Sequence, residues 1–238
     1  MAGRANPAFS VGALAVPFGA LAATALWGTV QQLTFVHVMA GVLWTGTDLF
    51  MALVLGPVLG GLAVEERASV FQRFTPKMTF LMPALAFTTI FGGILLALRL
   101  GIFPNADPWI ALFATASMVP ALLSIGYQFD AFRDRRWWAA FLLVGGGSVA
   151  YLLSSIGQFG PTNPLIALAL GIVTVLTFLG FGVLMPGETR MYREMVSSDP
   201  DPNVISTIGL RNAKLSGVQG AFQLAIIVVM VALRWGGF

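Results

Sequence analysis

Apolar residues run along this chain in stretches of about twenty, the length an α-helix needs to cross a hydrocarbon core. Seven such spans are predicted, at 9–30, 33–59, 78–99, 109–129, 137–158, 164–186 and 214–234. The joints between them are polar or rich in turn residues. Glu65-Glu66-Arg67 through Lys77 is charged, Pro104-Asn105-Ala106-Asp107-Pro108 is a turn, Asp130 to Arg136 is charged, and Gly160-Pro161-Thr162-Asn163-Pro164 is another turn. Met185 to Lys214 reads as the one long loop, broken by Asp199-Pro200-Asp201-Pro202. The pattern therefore predicts an all-α integral membrane protein, a single transmembrane domain over residues 1–238 built as a bundle of about seven helices.

Composition agrees with the pattern. Of the 238 residues, 57% are hydrophobic and 10% charged, against about 25% charged in an average soluble domain. Eleven of the thirteen lysines and arginines fall on one side of the layout, leaving only Arg99 and Arg234 opposite. By the positive-inside rule the N-terminus is cytoplasmic and the protein is a multi-pass resident of the cytoplasmic (inner) membrane. The net charge of +3 thus reports topology and gives no sign of nucleic-acid binding. The partners it implies are the lipid bilayer and, through glycine-rich helix faces, other membrane subunits or further copies of the chain. Arg4 followed by an apolar stretch to Ala22-Ala23 also has the look of a signal peptide; the first span is read here as a retained helix.

The tryptophans add a second marker. Trp27, Trp109, Trp137, Trp138 and Trp235 fall at span ends, as an aromatic belt requires. Trp44 alone lies deep in a span. There is also a faint internal likeness between Leu96–Phe103 and Val231–Phe238, each following a lysine (Lys77, Lys214) by about one span. Spans two–three and six–seven read either as duplicated hairpins or as a chance similarity of Leu/Ala-rich helices.

Candidate chemistry concentrates in span two. His37, the only histidine, shares a helix face with Gly41, Trp44 and Asp48 at i, i+4, i+7 and i+11, a stripe roughly 16 Å long. An imidazole and a carboxylate in hydrocarbon are costly and by default mark function. His37 suits haem iron or copper as a ligand, or proton relay, and equally an interfacial hydrogen bond. Asp48, near the midplane, needs a partner or a proton; it reads as a relay, a cation site, a cofactor contact or an interhelical hydrogen bond. Gly41 makes room for a flat cofactor or for a neighbouring helix. Gly56 and Gly60, Gly92-Gly93, Gly145-Gly146-Gly147 and Gly217/Gly220 read as close helix packing. Gln219 and Gln223 are placed to bond across helices, and Met78 and Met82 share a face that suits Cu(I) or packing. The absence of cysteine removes disulfides, thiolate zinc sites and attached c-type haem. No phosphate-binding loop, paired-carboxylate hydrolytic site or serine–histidine arrangement is present.

Taken together, His37-x3-Gly41-x2-Trp44-x-Gly46-x3-Phe50, Gly56-Pro57, Phe74-x-Pro76 to Met82-Pro83 and Gly92-Gly93 with Leu95 form a longer motif. It resembles the first hairpin of the CopD copper-resistance membrane domain, its DUF2269-type relatives and the HemJ-type protoporphyrinogen oxidases. The resemblance covers about residues 34–100 and implies a helical bundle in which His37 ligates haem b or a metal. Gln31-Gln32 stand where HemJ-type proteins generally carry a lysine, their further histidines are missing, and Asp48 lies outside the shared pattern. The leading expectation is a haem b-binding membrane protein in electron transfer or a redox reaction, with Gly41, Trp44 and Asp48 lining the site. The alternatives are a CopD-like copper, cation or proton transporter, and a non-catalytic structural subunit. Whether the protein is an enzyme stays open.

Overall fold

The computed structural model describes residues 1–236, and all regular structure among them is helical. Seven helices are long and apolar enough to cross a bilayer: α1 (Pro7–Leu26), α2 (Val30–Gly60), α3 (Val64–Arg99), α4 (Ala106–Gln128), α5 (Arg135–Gln158), α6 (Pro164–Met195) and α7 (Pro202–Trp235). Large apolar side chains such as Val16, Leu53 and Leu143 are mostly exposed, Leu143 at 78%. Water would not tolerate so much bare apolar surface, whereas acyl chains do. The chain is a multi-pass membrane protein.

Local chemistry sets the helix starts. Asn6 accepts from Ala8 N at 3.0 Å with Pro7 in the first turn of α1. Thr29 and Gln32 form a reciprocal capping box on α2, Asp134 caps α5, and Asn163-Pro164 opens α6. These side chains satisfy backbone N–H groups that the first turn leaves unpaired.

Two boundaries differ from the sequence expectation. The polar stretch before span three is helical from Val64, and the long loop expected over Met185–Lys214 is mostly helix, since α6 runs on to Met195 and α7 begins at Pro202. Hydropathy marks only the part of a helix that sits in hydrocarbon. The extensions are amphipathic: Phe71, Met191, Met195, Ile205 and Ile208 bury together in one core cluster. Asp201 accepts from Asn203 N at 2.8 Å and Pro202 occupies the first turn, so the segment read as a breaker is also a helix start.

Two compact units divide the chain, and α6 and α7 contribute to both. The first comprises residues 1–99 and 187–220, the second 100–186 and 221–238. In the first unit, α3 is held at both ends by arginine. Arg67 donates to the carbonyls of Leu59, Gly60 and Leu62 and to Ser206 Oγ, and Arg99 donates to those of Thr24, Ala25 and Gly28. Each guanidinium adds donors to carbonyls at or just past the end of another helix, α2 for Arg67 and α1 for Arg99.

Wide π-helical turns interrupt α2 at Met51–Leu55 and α6 at Phe178–Leu184, each just ahead of a proline, Pro57 and Pro186. A proline ring displaces the carbonyl four residues earlier and cannot donate to it. For Pro186 that carbonyl is Gly182 O, and in the second unit it accepts instead from Ser124 Oγ at 2.6 Å and Gln128 Nε2 at 2.7 Å. In hydrocarbon such a replacement is obligatory.

The glycine readings hold unevenly. A Cβ at Gly56 would meet Ala213 at 3.5 Å, one at Gly217 would meet Ala52 at 2.9 Å, and one at Gly220 would meet Leu49 at 2.7 Å, so these are close packing sites. Gly60, Gly146 and Gly147 are not, for nothing lies within 4 Å of where their Cβ would be. Gly145 does face α4, where its Cβ would meet Val119 at 3.6 Å, and with Gly146 it lies in a third π turn, Leu142–Gly146. Among the tryptophans Trp44 is not alone in being buried. Trp137 is buried as well, against Phe132, Trp138 and Phe141.

Candidate functional site: a buried polar seam in the first unit

The stripe on α2 faces α3 and α7. His37 Nδ1 donates to the Thr89 carbonyl of α3 at 2.8 Å. A carbonyl can only accept, so the ring proton is on Nδ1 and Nε2 carries the lone pair. No protein hydrogen bond reaches Nε2 among the described residues. The ring rests on Gly92 and Gly93: a Cβ at Gly93 would stand 3.0 Å from His37 Cε1, and one at Gly92 would stand 3.3 Å from His37 Cβ. The Gly92-Gly93 pair is thus the seat of the imidazole.

Gly41 faces Thr89, whose Cγ2 lies 3.3 Å from the position its Cβ would take. Trp44, one turn on, is 4% exposed, and Asp48 at the far end of the stripe is 1% exposed.

Asp48 meets the seventh helix. Its Oδ2 accepts from Gln219 Nε2 at 2.7 Å, between two fully buried side chains. The distance is that of a charge-assisted hydrogen bond. Gln219 is 3% exposed, and its Oε1, on the same amide, has no donor. Asn212, Ser216, Gln219 and Gln223 are all buried and spaced i, i+4, i+7 and i+11 along α7, the spacing of the stripe on α2. The cross-helix bond expected of Gln219 is present.

Glu188, read from sequence as part of a loop, belongs to this seam. It sits on α6 in line with Met191 and Met195, both buried, and lies within electrostatic reach of Asp48. Its Oε2 is 3.0 Å from Thr79 Oγ of α3, and no ion-pair partner accompanies it among the described residues. Hydropathy passed over Glu188 because the polar run Gly187–Arg190 ends the apolar span. The signal that finds it is helical: Leu184, Glu188, Met191 and Met195 share one face, a carboxyl set in an apolar stripe.

On α3, Thr75, Thr79, Met82, Ala86, Thr89 and Gly93 fall on one face at the same periodicity. That face runs from the partner of Glu188 to the seat of His37, roughly 15 Å between Thr79 and Thr89. Polar groups therefore line one seam: Nε2 of His37 at one end, the Asp48–Gln219 pair, then Thr79 and Glu188 at the other.

Space opened by Gly41, Gly92 and Gly93 is taken by Thr89 and by His37 itself. One imidazole nitrogen is available as a donor. No group of three His, Cys, Asp or Glu side chains that could hold a metal ion occurs among the described residues. No protein-family model, curated protein or solved structure matches the chain.

Proposed function

We propose that this protein moves a proton or a small monovalent cation across the membrane along the seam of the first unit, with Asp48 as its central binding group. The observation that carries the reading is the fully buried Asp48 carboxylate, held at 2.7 Å by a neutral amide. An acidic side chain at mid-membrane costs about 2.5–3.5 kcal/mol on insertion scales. Each interhelical hydrogen bond returns about 1–2 kcal/mol at most, and intramembrane carboxyls commonly line ion and proton pathways. In this reading Glu188 lies toward the cytoplasm and His37 toward the opposite face, an orientation supported by the excess of basic residues on one side. The test is flux into proteoliposomes under an imposed membrane potential, followed with a pH-sensitive dye and with Na⁺ and K⁺ indicators. Wild type conducts, and Asp48→Asn, whose amide oxygen still accepts from Gln219, loses at least tenfold. Wild type without flux of any of these ions overturns the reading.

A second reading is supported by His37 alone. An imidazole whose Nδ1–H is fixed by a backbone carbonyl presents Nε2 as metal-binding histidines do. With the resemblance of residues 34–100 to the CopD and HemJ-type proteins, this supports His37 as a ligand of haem b or copper, which when bound supplies redox chemistry. Thr89 orients the ring and Gly92-Gly93 leave it room. Absorption and metal analysis of purified protein, wild type beside His37→Ala, decide it. No Soret band and no copper in the wild type sinks this reading.

A further inference from the structure

The Thr79 hydroxyl has one proton and two acceptors at equal distance. Its Oγ lies 3.0 Å from Thr75 O, within its own helix, and 3.0 Å from Glu188 Oε2. If Glu188 is ionised, the hydroxyl must turn toward the carboxylate and away from the Thr75 carbonyl. If Glu188 carries a proton, the carboxyl donates to Thr79 Oγ, the hydroxyl donates to Thr75 O, and both short contacts are hydrogen bonds at once.

The balance of donors and acceptors around it points the same way. Among the described residues, Glu188 accepts from Thr79 and from no other donor, and Gln219 Oε1 has no donor although its amide is buried against Asp48. A buried acceptor without a donor costs about 1–3 kcal/mol. The charged groups nearby do not correct this. From α2 comes Asp48, a second acid. From α7, Arg211 Nη2 lies 3.0 Å from where a Cβ at Gly187 would stand and Lys214 is exposed; from α3, the Lys77 ammonium turns back to Arg73 O. None of these three cations forms an ion pair with Glu188 among the described residues. Two acids within reach of each other, one lacking a cation, hold one negative charge more cheaply than two.

We propose that the species taken by this seam is the proton, that Glu188 is the group that holds it, and that the Thr79 hydroxyl is the rotor that changes partner as the proton binds and leaves. The inference rests on the transport reading for its purpose and adds Glu188 and Thr79 to it. On release, the Glu188 O–H bond breaks, the proton passes to water or to the Asp48 carboxylate, and the Thr79 O–H swings from Thr75 O to Glu188. Nothing else is consumed.

The test is infrared difference spectroscopy on the full chain in lipid vesicles, with H₂O/D₂O exchange, reading the C=O stretch of protonated carboxyls at neutral pH. Wild type is expected to show such a band. Glu188→Gln loses it, Thr79→Val shifts it to higher frequency as its hydrogen bond is lost, and Thr79→Ser restores the wild-type position. Absence of the band in folded wild type overturns the proposal, as does a band that survives Glu188→Gln or ignores Thr79→Val. Should Glu188→Gln fail to fold, wild type and the two Thr79 variants still decide. Because the readout needs no transport, a Glu188 band without flux retains the proton site and removes the transport reading. Na⁺ or K⁺ flux without proton flux, together with no band, removes the proton and leaves the path.

Discussion

Replacing Gln219 by leucine takes an amide donor from Asp48 while keeping the volume of the side chain. The two groups meet at 2.7 Å and are 3% and 1% exposed, so neither can turn to water instead. In soluble proteins a hydrogen bond to a charged group contributes about 1.5–3 kcal/mol. Interhelical bonds measured in membranes average about 0.6 and reach about 1.7 kcal/mol, because an unfolded helix in lipid also finds partners. A short bond between two fully buried groups belongs near the top of the second range, and a coupling of about 1–2 kcal/mol follows.

The single replacements should each cost more than the coupling alone. Gln219→Leu leaves the carboxyl short of a donor, and Asp48→Leu leaves the amide with its Nε2 as well as its Oε1 unmet, about 1–3 kcal/mol in either case. Removing both partners removes both deficits. The double variant should therefore be more stable than either single one. Equilibrium unfolding in mixed micelles measures this, and the emission of Trp44, four residues before Asp48, reports on the site itself. If the two substitutions add to within about 0.5 kcal/mol, Asp48 and Gln219 do not share a bond and the seam as drawn is wrong.

The remaining expectations concern the frame around the site. Gly209→Ala should destabilise by about 1–3 kcal/mol through overpacking, since the Phe71 ring occupies the space its methyl would need. Gly60→Ala, with open space around it, should be neutral or slightly stabilising on the same unfolding curve. Arg99→Met removes a side-chain donor from the carbonyls of Thr24, Ala25 and Gly28, of which Thr24 O still accepts from Gly28 N. A loss of about 1–2 kcal/mol, read as a lower midpoint in tryptophan-monitored melting, is expected. Ser124→Ala and Gln128→Ala should each be mild alone, because the other still serves Gly182 O. Their combination should cost about 1–3 kcal/mol, more than the sum of the singles, and strict additivity would show that Pro186 leaves no carbonyl to be served.

Helix number and class were legible because hydropathy over twenty residues is what a bilayer selects. The ends were not, because beyond the hydrocarbon a helix is kept by an amphipathic face and a cap. Both signals were present at Asp201-Pro202 and in the Ile205, Ile208 and Gly209 spacing, yet mean apolarity does not register them. At the site, His37, Trp44 and Asp48 stood out as costly or unusual residues inside an apolar run. Glu188 did not, since it sits where the run ends. What made it part of the site is tertiary: the fold brings the end of α6 against the face of α3 that carries Thr79.

The glycines explain why Asp48 and Gln219 meet at all. Gln219 is flanked on α7 by Gly217 and Gly220, where added methyls would run into Ala52 and Leu49 of α2. Those two residues directly follow Asp48, Leu49 next to it and Ala52 one turn further on. With side chains at 217 and 220 the helices would stand farther apart, and an amide could not close to 2.7 Å on the carboxylate. Small residues in membrane helices usually serve the approach of backbones; here the approach also seats a polar pair. A glycine stripe and a buried carboxyl on different helices are each ambiguous from sequence. They become specific when the glycines bracket a residue that reaches the carboxyl. That bracketing is an argument for selection on the contact, because close packing alone would be served as well by a leucine at 219.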